Sequence, residues 1–499
     1  MRNVAAACFR ATCICLLLPA ATLCAQVSDS QTAAAASQAA VDQQMDQSAP
    51  TVHMSKVRIV RLSEIKGEVQ MDRNLGRGFE PAIANLPVVE KSRLQTETGA
   101  AEVEFEDNSS MRLAPNSLME FETLERMPGG TTVSSVRLVR GMAYVSLMKT
   151  AGNEFNLLFG QQSVRLQPAS HVRLQLGGTE AKLAVLDGAV RLEGTAGAMD
   201  VARKQTVTMA LNGDSAPLEA RGIAQNAFDS WDHTSTEYHE RFAGMSALNG
   251  SPYSYGASDM AYYGAFSDFG GCGTMWRPYF TSAAWDPYAN GSWAWYQGAG
   301  YSWVSPYPWG WTPYHYGSWS FCPGAGWGWM PGGDWMGLNN GLIAGSNSPI
   351  HLPKQPIHAP RDGERTLLSV NAKPPVRSEV DPRNSSFIFR NDSAGLGVPR
   401  NELGKLEKFS EHASARGNAR TQVYFEASSA SRGETGHGSA GVVSMHRGSA
   451  PPALAGGPSF GGSAGSRSTG SSGSSSISGS SSSSSHGGSS SGGGGGSHH

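Results

Sequence analysis

The chain has 499 residues, 39% of them hydrophobic and 16% charged, with a net charge of -2. A balance so close to neutral gives no support to a global nucleic-acid or polyanion-binding role. With 61 glycines and 27 prolines, part of the chain cannot build a packed core.

Arg2 and Arg10 precede an apolar run from Ala11 to Leu23 that ends in small residues before Gln26. This is the pattern of a secretory signal peptide over residues 1–25. No later stretch reaches the roughly 20 apolar residues of a transmembrane helix. The expected location is therefore the periplasm, or the cell envelope and outer surface. Cys24 follows Leu23, where a lipoprotein signal would carry a small side chain, so cleavage after Ala25 is the reading taken. Cys8, Cys13, Cys15 and Cys24 lie within that segment, which leaves Cys272 and Cys322. An even pair in an exported chain reads as a disulfide, with two separate buried thiols as the alternative. Residues 26–55, rich in Ala, Gln, Ser and Asp, read as a disordered tether.

From Val57 the sequence alternates with period two. Ala101, Val103 and Phe105 share one face and Glu102, Glu104 and Glu106 the other; Val172, Leu174 and Leu176 alternate with Arg173 and Gln175. Such strands are half-buried, apolar side to the core and polar side to water. A dozen of them, separated by turn signals such as Asp107-Asn108, Pro115-Asn116, Gly177-Gly178 and Asp187-Gly188, predict an antiparallel β-sandwich or roll over residues 56–212. The blocks Ile65-Lys66-Gly67-Glu68-Val69, Arg93-Leu94-Gln95-Thr96, Val103-Glu104-Phe105-Glu106-Asp107-Asn108-Ser109, Leu113-Ala114-Pro115-Asn116-Ser117, Val139-Arg140-Gly141 and Val185-Leu186-Asp187-Gly188-Ala189-Val190 follow in order. Together they resemble a FecR-type domain spanning about residues 57–195. The resemblance implies an extracytoplasmic β-domain. In FecR-type sigma-factor regulators that domain lies in the periplasm and relays an outer-membrane signal, through a membrane helix, to a cytoplasmic segment. Neither of those two parts is legible here, so the domain is carried over and the pathway is not.

Between residues 213 and 250, Phe228 and Trp231 at i, i+3 and Tyr238 and Phe242 at i, i+4 predict a short helical connector. Residues 251–350 follow as an aromatic module. Eleven of the twelve tryptophans fall between Trp276 and Trp335, and Trp295, Trp303, Trp311, Trp319, Trp327 and Trp335 recur every eight residues. Pairs at i, i+2 (Trp293/Trp295, Tyr301/Trp303, Trp309/Trp311, Trp319/Phe321, Trp327/Trp329) share a face of an extended strand, and turn formers separate the pairs. The expectation is a meander of short antiparallel strands with an aromatic face and no helix. The connector's Asp-Ser-Trp-Asp and the run from Pro308 to Trp319 resemble a group of exported bacterial proteins with Trp- and Tyr-rich modules, which brings no activity with it.

From Pro287 to Gly333 there is no Asp, Glu, Lys or Arg. Asp286 and Asp334, at the module's margins, read as turn caps and not as a catalytic carboxylate pair. With no nucleophile motif and no ligand spacing, the expectation is no enzyme, no metal and no cofactor. His315 reads as a strand or turn histidine bonded to backbone, facing away from Tyr314 and Tyr316. The rings admit two readings: Trp can be the core of a module poor in Leu, Ile and Val, or an aromatic face can stack on sugars. Tyr288, Tyr296, Tyr314 and Tyr316 are the candidates for an outer face, with Trp309 and Trp311 as further ligand-binding candidates. Arg277 is the sole basic side chain across residues 251–350, which argues against nucleic acid. Residues 351–455 read as mostly irregular, with Ser385–Phe389 and Val423–Phe425 as short candidate strands, and 456–499 as a disordered Ser/Gly tail. The resulting reading is a non-enzymatic exported envelope protein that binds or scaffolds, with polysaccharide or an envelope protein as partner. The alternative is a periplasmic signal-sensing component acting through the FecR-like domain on a membrane partner.

Overall fold

The computed structural model describes residues 57–195, 197–213, 216–242, 250–340, 352–370, 379–381 and 386–422. The expected signal peptide, tether, Ser/Gly tail and Val423–Phe425 strand lie outside the described residues.

Alternating apolar and polar residues build two nine-stranded sheets. The first runs from edge to edge through Leu218–Arg221, Gln205–Ala210, Glu180–Asp187, His171–Leu176, Met142–Ser146, Ser110–Leu113, Ala100–Glu104, Val60–Lys66 and Pro87–Val88. The second runs through Gly197–Ala202, Ala189–Gly194, Gln162–Leu166, Asn153–Phe159, Thr132–Arg140, Leu118–Arg126, Arg93–Thr96, Val69–Asp72 and Glu80–Pro81. Strand order falls almost steadily along both sheets, so the chain passes back and forth between them and the sandwich grows as a roll. Pairing is antiparallel except where Asn153–Phe159 lies parallel to Thr132–Arg140. Val103, Phe105, Leu113, Val136, Phe155 and Leu174 fill the space between the sheets, all fully buried.

The half-buried expectation fails on part of the first sheet. Glu102, Glu104 and Arg112 point away from the sandwich core, yet they too are completely buried. Helix α1 (Asp229–Phe242) and helix α2 (Ala257–Tyr263) cover that outer face.

The aromatic module then forms three hairpins: Gly264–Phe269 with Gly273–Pro278, Ser292–Tyr296 with Gly300–Val304, and Ser318–Cys322 with Gly326–Met330. Trp293 sits opposite Trp303, Trp295 opposite Tyr301 and Phe321 opposite Trp327, so the paired-aromatic reading holds for these strands. The hairpins do not make a single meander. The first and third join in a four-stranded sheet, while the second pairs with Leu367–Ser369 in another. Nor is helix excluded: Thr312–His315 is a short helix, α3, closed by the Tyr316 N–H donating to the Thr312 carbonyl. The eight-residue spacing hid a helix-start signal, Pro313 in the first turn, where a missing N–H costs nothing. Glycines give the rings room. A Cβ on Gly291 would stand 2.0 Å from the Trp303 ring, and one on Gly264 would stand 2.5 Å from that of Trp276.

The described residues between 352 and 422 include regular elements. Ser386–Arg390 pairs with Asn418–Gln422, and helix α4 (Leu406–Arg416) lies between them in sequence. Trp309 donates its indole N–H to the Ala394 carbonyl at 2.7 Å, which ties this segment to the module.

Cys272 and Cys322 form the expected disulfide, linking the first hairpin's turn to the third hairpin across 50 residues. Closing a loop of that length stabilises the folded state by about 4 kcal/mol on the chain-entropy model. Replacing both cysteines with serine should lower the unfolding free energy by roughly that amount in urea titrations; a change below about 1 kcal/mol would contradict it. His315 lies in α3, not in a strand, and it makes a backbone hydrogen bond as expected, its Nδ1–H donating to the Gly337 carbonyl at 2.9 Å. The ring packs against Trp311 and Trp335, and burial pushes its pKa down from the ordinary 6.5 to about 4. The unfolded chain therefore binds a proton that the folded one refuses, and stability falls as pH drops from 6.5 toward 4. The loss amounts to about 3 kcal/mol for this group. His315→Phe should flatten that part of the pH–stability curve, and an unchanged slope would remove His315 from the account.

Candidate functional site

The six residues expected to display an aromatic face are all buried. Tyr288, Tyr296, Tyr314 and Tyr316 are 3%, 2%, 4% and 6% exposed, and Trp309 and Trp311 are 0% exposed. The premise of an outer tyrosine face is thereby corrected. The tyrosine hydroxyls are satisfied inside: Tyr296 donates to the Pro87 carbonyl at 2.6 Å, Tyr314 to Pro287 at 2.5 Å and Tyr316 to Gly250 at 2.8 Å. Indole N–H groups of Trp293, Trp303, Trp319 and Trp327 are enclosed without a hydrogen-bond partner among the described residues. The rings form the module's core, in edge-to-face pairs such as Trp293–Trp303 at 5.1 Å. Asp286 accepts the Tyr288 backbone N–H at 2.9 Å as a turn cap, and Asp334 is exposed on its loop. Among the described residues, no group of three or more His, Cys, Asp or Glu is placed to hold a metal ion.

What the structure assembles instead is a buried ionic cluster where the first sheet meets α1, α2 and the module. The Arg61 guanidinium contacts Glu104 at 2.9 Å and Asp259 at 2.7 Å, and it donates to Asn85 and to the Pro308 carbonyl. Arg112 pairs with Glu102 at 2.9 Å and with Asp232 of α1 at 2.8 Å. Arg400 arrives from the C-terminal segment to grip Asp259 with two nitrogens and Glu102 with a third. His239 of α1 sets Nε2 3.1 Å from Glu102 and Nδ1 3.1 Å from Asn108 Oδ1. Burial alone would raise the Glu102 pKa, but His239, Arg112 and Arg400 outweigh it and hold the carboxyl well below its ordinary range. Asp259 is likewise lowered: burial opposes, and Arg400 and Arg61 prevail. These charges were legible as residue types but not as a site, because Glu102 and Glu104 look like the wet side of an amphipathic strand.

Helix α1 turns a polar stripe inward beside its apolar one, and leaves Ser230, His233, Thr234, Glu237, Glu240 and Arg241 exposed. Asp229, Asp232, Thr236 and His239 face the sheet, where Asp229 also receives Tyr144 and Arg173. Beside that stripe, Phe228, Trp231, Ser235 and Tyr238 line a cleft of about 690 Å³, facing Glu64, Lys66, Arg400, Asn401 and Glu402. Trp231, the tryptophan outside the module, is half-buried there. Its Nε1 stands 3.4 Å from Glu64, and the Lys66 ammonium lies 5.2 Å from its ring centre. The cleft has walls from three parts of the chain: the sandwich, the connector helix and the C-terminal segment.

Arg400→Met should leave Glu102 with Arg112 and His239, and Asp259 with Arg61, each short of one cationic partner in the buried cluster, and lower stability by about 3 kcal/mol in urea unfolding. A cost below about 1 kcal/mol would mean that the pair is not held by Arg400.

No curated protein sequence matches the chain. Two crystal structures of a candidate anti-sigma factor from Parabacteroides distasonis ATCC 8503, at 1.65 and 2.50 Å resolution, are similar at 15% and 16% identity. Each has a TM-score of 0.24; the matches cover 28% and 27% of this chain and 63% and 62% of theirs, under two thirds of that protein's length. Among the described residues no helix is long and apolar enough to cross a membrane. Residues 92–191 match the family model described as FecR protein, and residues 257–349 match a family of unknown function, DUF6600. The chain thus carries a FecR domain inside its two-sheet roll and a DUF6600 segment that spans its aromatic module.

Proposed function

We propose that this protein is an exported, non-enzymatic sensing component of the bacterial cell envelope, in which the FecR-containing roll engages a membrane partner and the aromatic module acts as its rigid support. The observation that carries the reading is the cleft beside α1. A ligand there would touch the roll, the connector and the Arg400 segment together, and all three meet in one buried ionic cluster. A change at the cleft would thus bear on how the three parts pack. The FecR match favours a sensing role over a purely scaffolding one. The polysaccharide reading moves off the buried tyrosines, since an enclosed ring cannot stack on a sugar.

The partner would meet the end of the roll that the module leaves open. Leu218–Arg221 is an edge strand exposed along its whole length, with Leu218 at 72% exposure. A photo-crosslinking amino acid at Leu218, with the full chain expressed in its native host, should give an adduct with a membrane protein in the envelope fraction. Recovery of the chain in the cytoplasm, or adducts with soluble cytoplasmic proteins alone, would contradict the proposal.

A further inference from the structure

The same cleft has a chemistry that narrows its ligand, and the narrowing rests on reading it as the sensing site. Eleven tryptophans are committed to the module, and the twelfth, Trp231, opens onto the cleft. Along the same stripe of α1 the small side chains Ser230, Thr234 and Ser235 leave the space that larger residues would fill. Opposite them stand carboxylate, amide and ammonium groups: Glu64, Glu402, Asn401 and Lys66.

The basic groups of the lining are already engaged. Lys66 Nζ lies 3.5 Å from Glu64, and Arg400 is consumed by Glu102 and Asp259. No unengaged guanidinium is offered to a phosphate or a carboxylate. Burial raises the Glu402 pKa, Lys66 opposes it and Glu64 reinforces it, so a second anion would meet further repulsion. An indole beside hydroxyl, amide and carboxyl groups, with no free cation among the lining residues, suits a ligand with apolar ring faces and hydroxyl groups.

We propose that the cleft binds a neutral glycan, one pyranose ring stacking on Trp231 while its hydroxyls bond to Glu64, Asn401 and Glu402. Lys66 is the movable piece. Its side chain is half exposed beside the Gly67 turn, so it can leave the indole face when a sugar ring replaces it.

The test is calorimetric titration of the full, oxidised chain with short soluble oligomers of glucose, mannose, galactose and N-acetylglucosamine, and separately with a pool of short neutral peptides. Saturable binding of one oligosaccharide, weakened about tenfold or more by Trp231→Ala and abolished by Ser235→Trp, is the expected result. Ser235→Trp fills the cleft without removing a buried group, so a folding failure in one variant leaves the other to decide. Oligosaccharide binding that both variants keep would overturn the assignment, since the sugar would then sit elsewhere. If no oligosaccharide binds but a peptide does, and Ser235→Trp removes it, the glycan class falls and the cleft stands as a ligand site. If neither binds, both readings fall.

Discussion

Everything in this structure turns on charges that have been taken out of water. Arg61, Arg112 and Arg400 are set against Glu102, Glu104, Asp232 and Asp259 in a region where most of these side chains are fully enclosed. Isolated, each would be costly to bury; arranged in closed pairs with extra donors from Ser63, Tyr238 and the Gly256 backbone, they satisfy one another. The cluster also dictates geometry. A fork from Arg400 that reaches both Asp259 and Glu102 admits one placement of α2 against the sheet, and Arg112 fixes α1 in the same way. Specific position, more than net stability, is what such a cluster contributes.

Given that seat, the aromatic module packs directly on the roll and not as a bead on a string. Asn85 donates to the Ser305 and Tyr307 carbonyls, Arg73 to that of Trp295, and Tyr296 returns a bond to Pro87. The apolar side chains of both regions belong to one continuous core. A module so poor in aliphatic residues can be rigid only by burying its indoles, which is why the rings that look like a binding face are interior.

The strand pattern was legible because period two is a local property. Val103 and Phe105 announce a strand, and Trp293 opposite Trp303 follows from aromatic pairs separated by turn formers. Which face of a strand meets water is not local. Glu102 and Glu104 read as solvent-facing because nothing near them in sequence names the partners that cover them: Arg400 is 298 residues away from Glu102. A weaker signal did exist in α1, where Asp229, Asp232, Thr236 and His239 keep helical spacing and so offer one charged stripe, while Phe228 and Trp231 mark the other. The Thr312–His315 helix was hidden by a periodicity that continues through it, although Pro313 gave the correct local cue.

The central claim is that the roll and the aromatic module fold as one body through the buried cluster. Native-state hydrogen exchange on Arg61→Met and the parent chain tests it most directly, comparing amides of Ala100–Glu104 with those of the hairpin Ser318–Cys322 and Gly326–Met330. The account predicts that protection falls in both places together and by a similar factor. Loss confined to the sheet, with the hairpin's protection unchanged, would show two independent domains and contradict it.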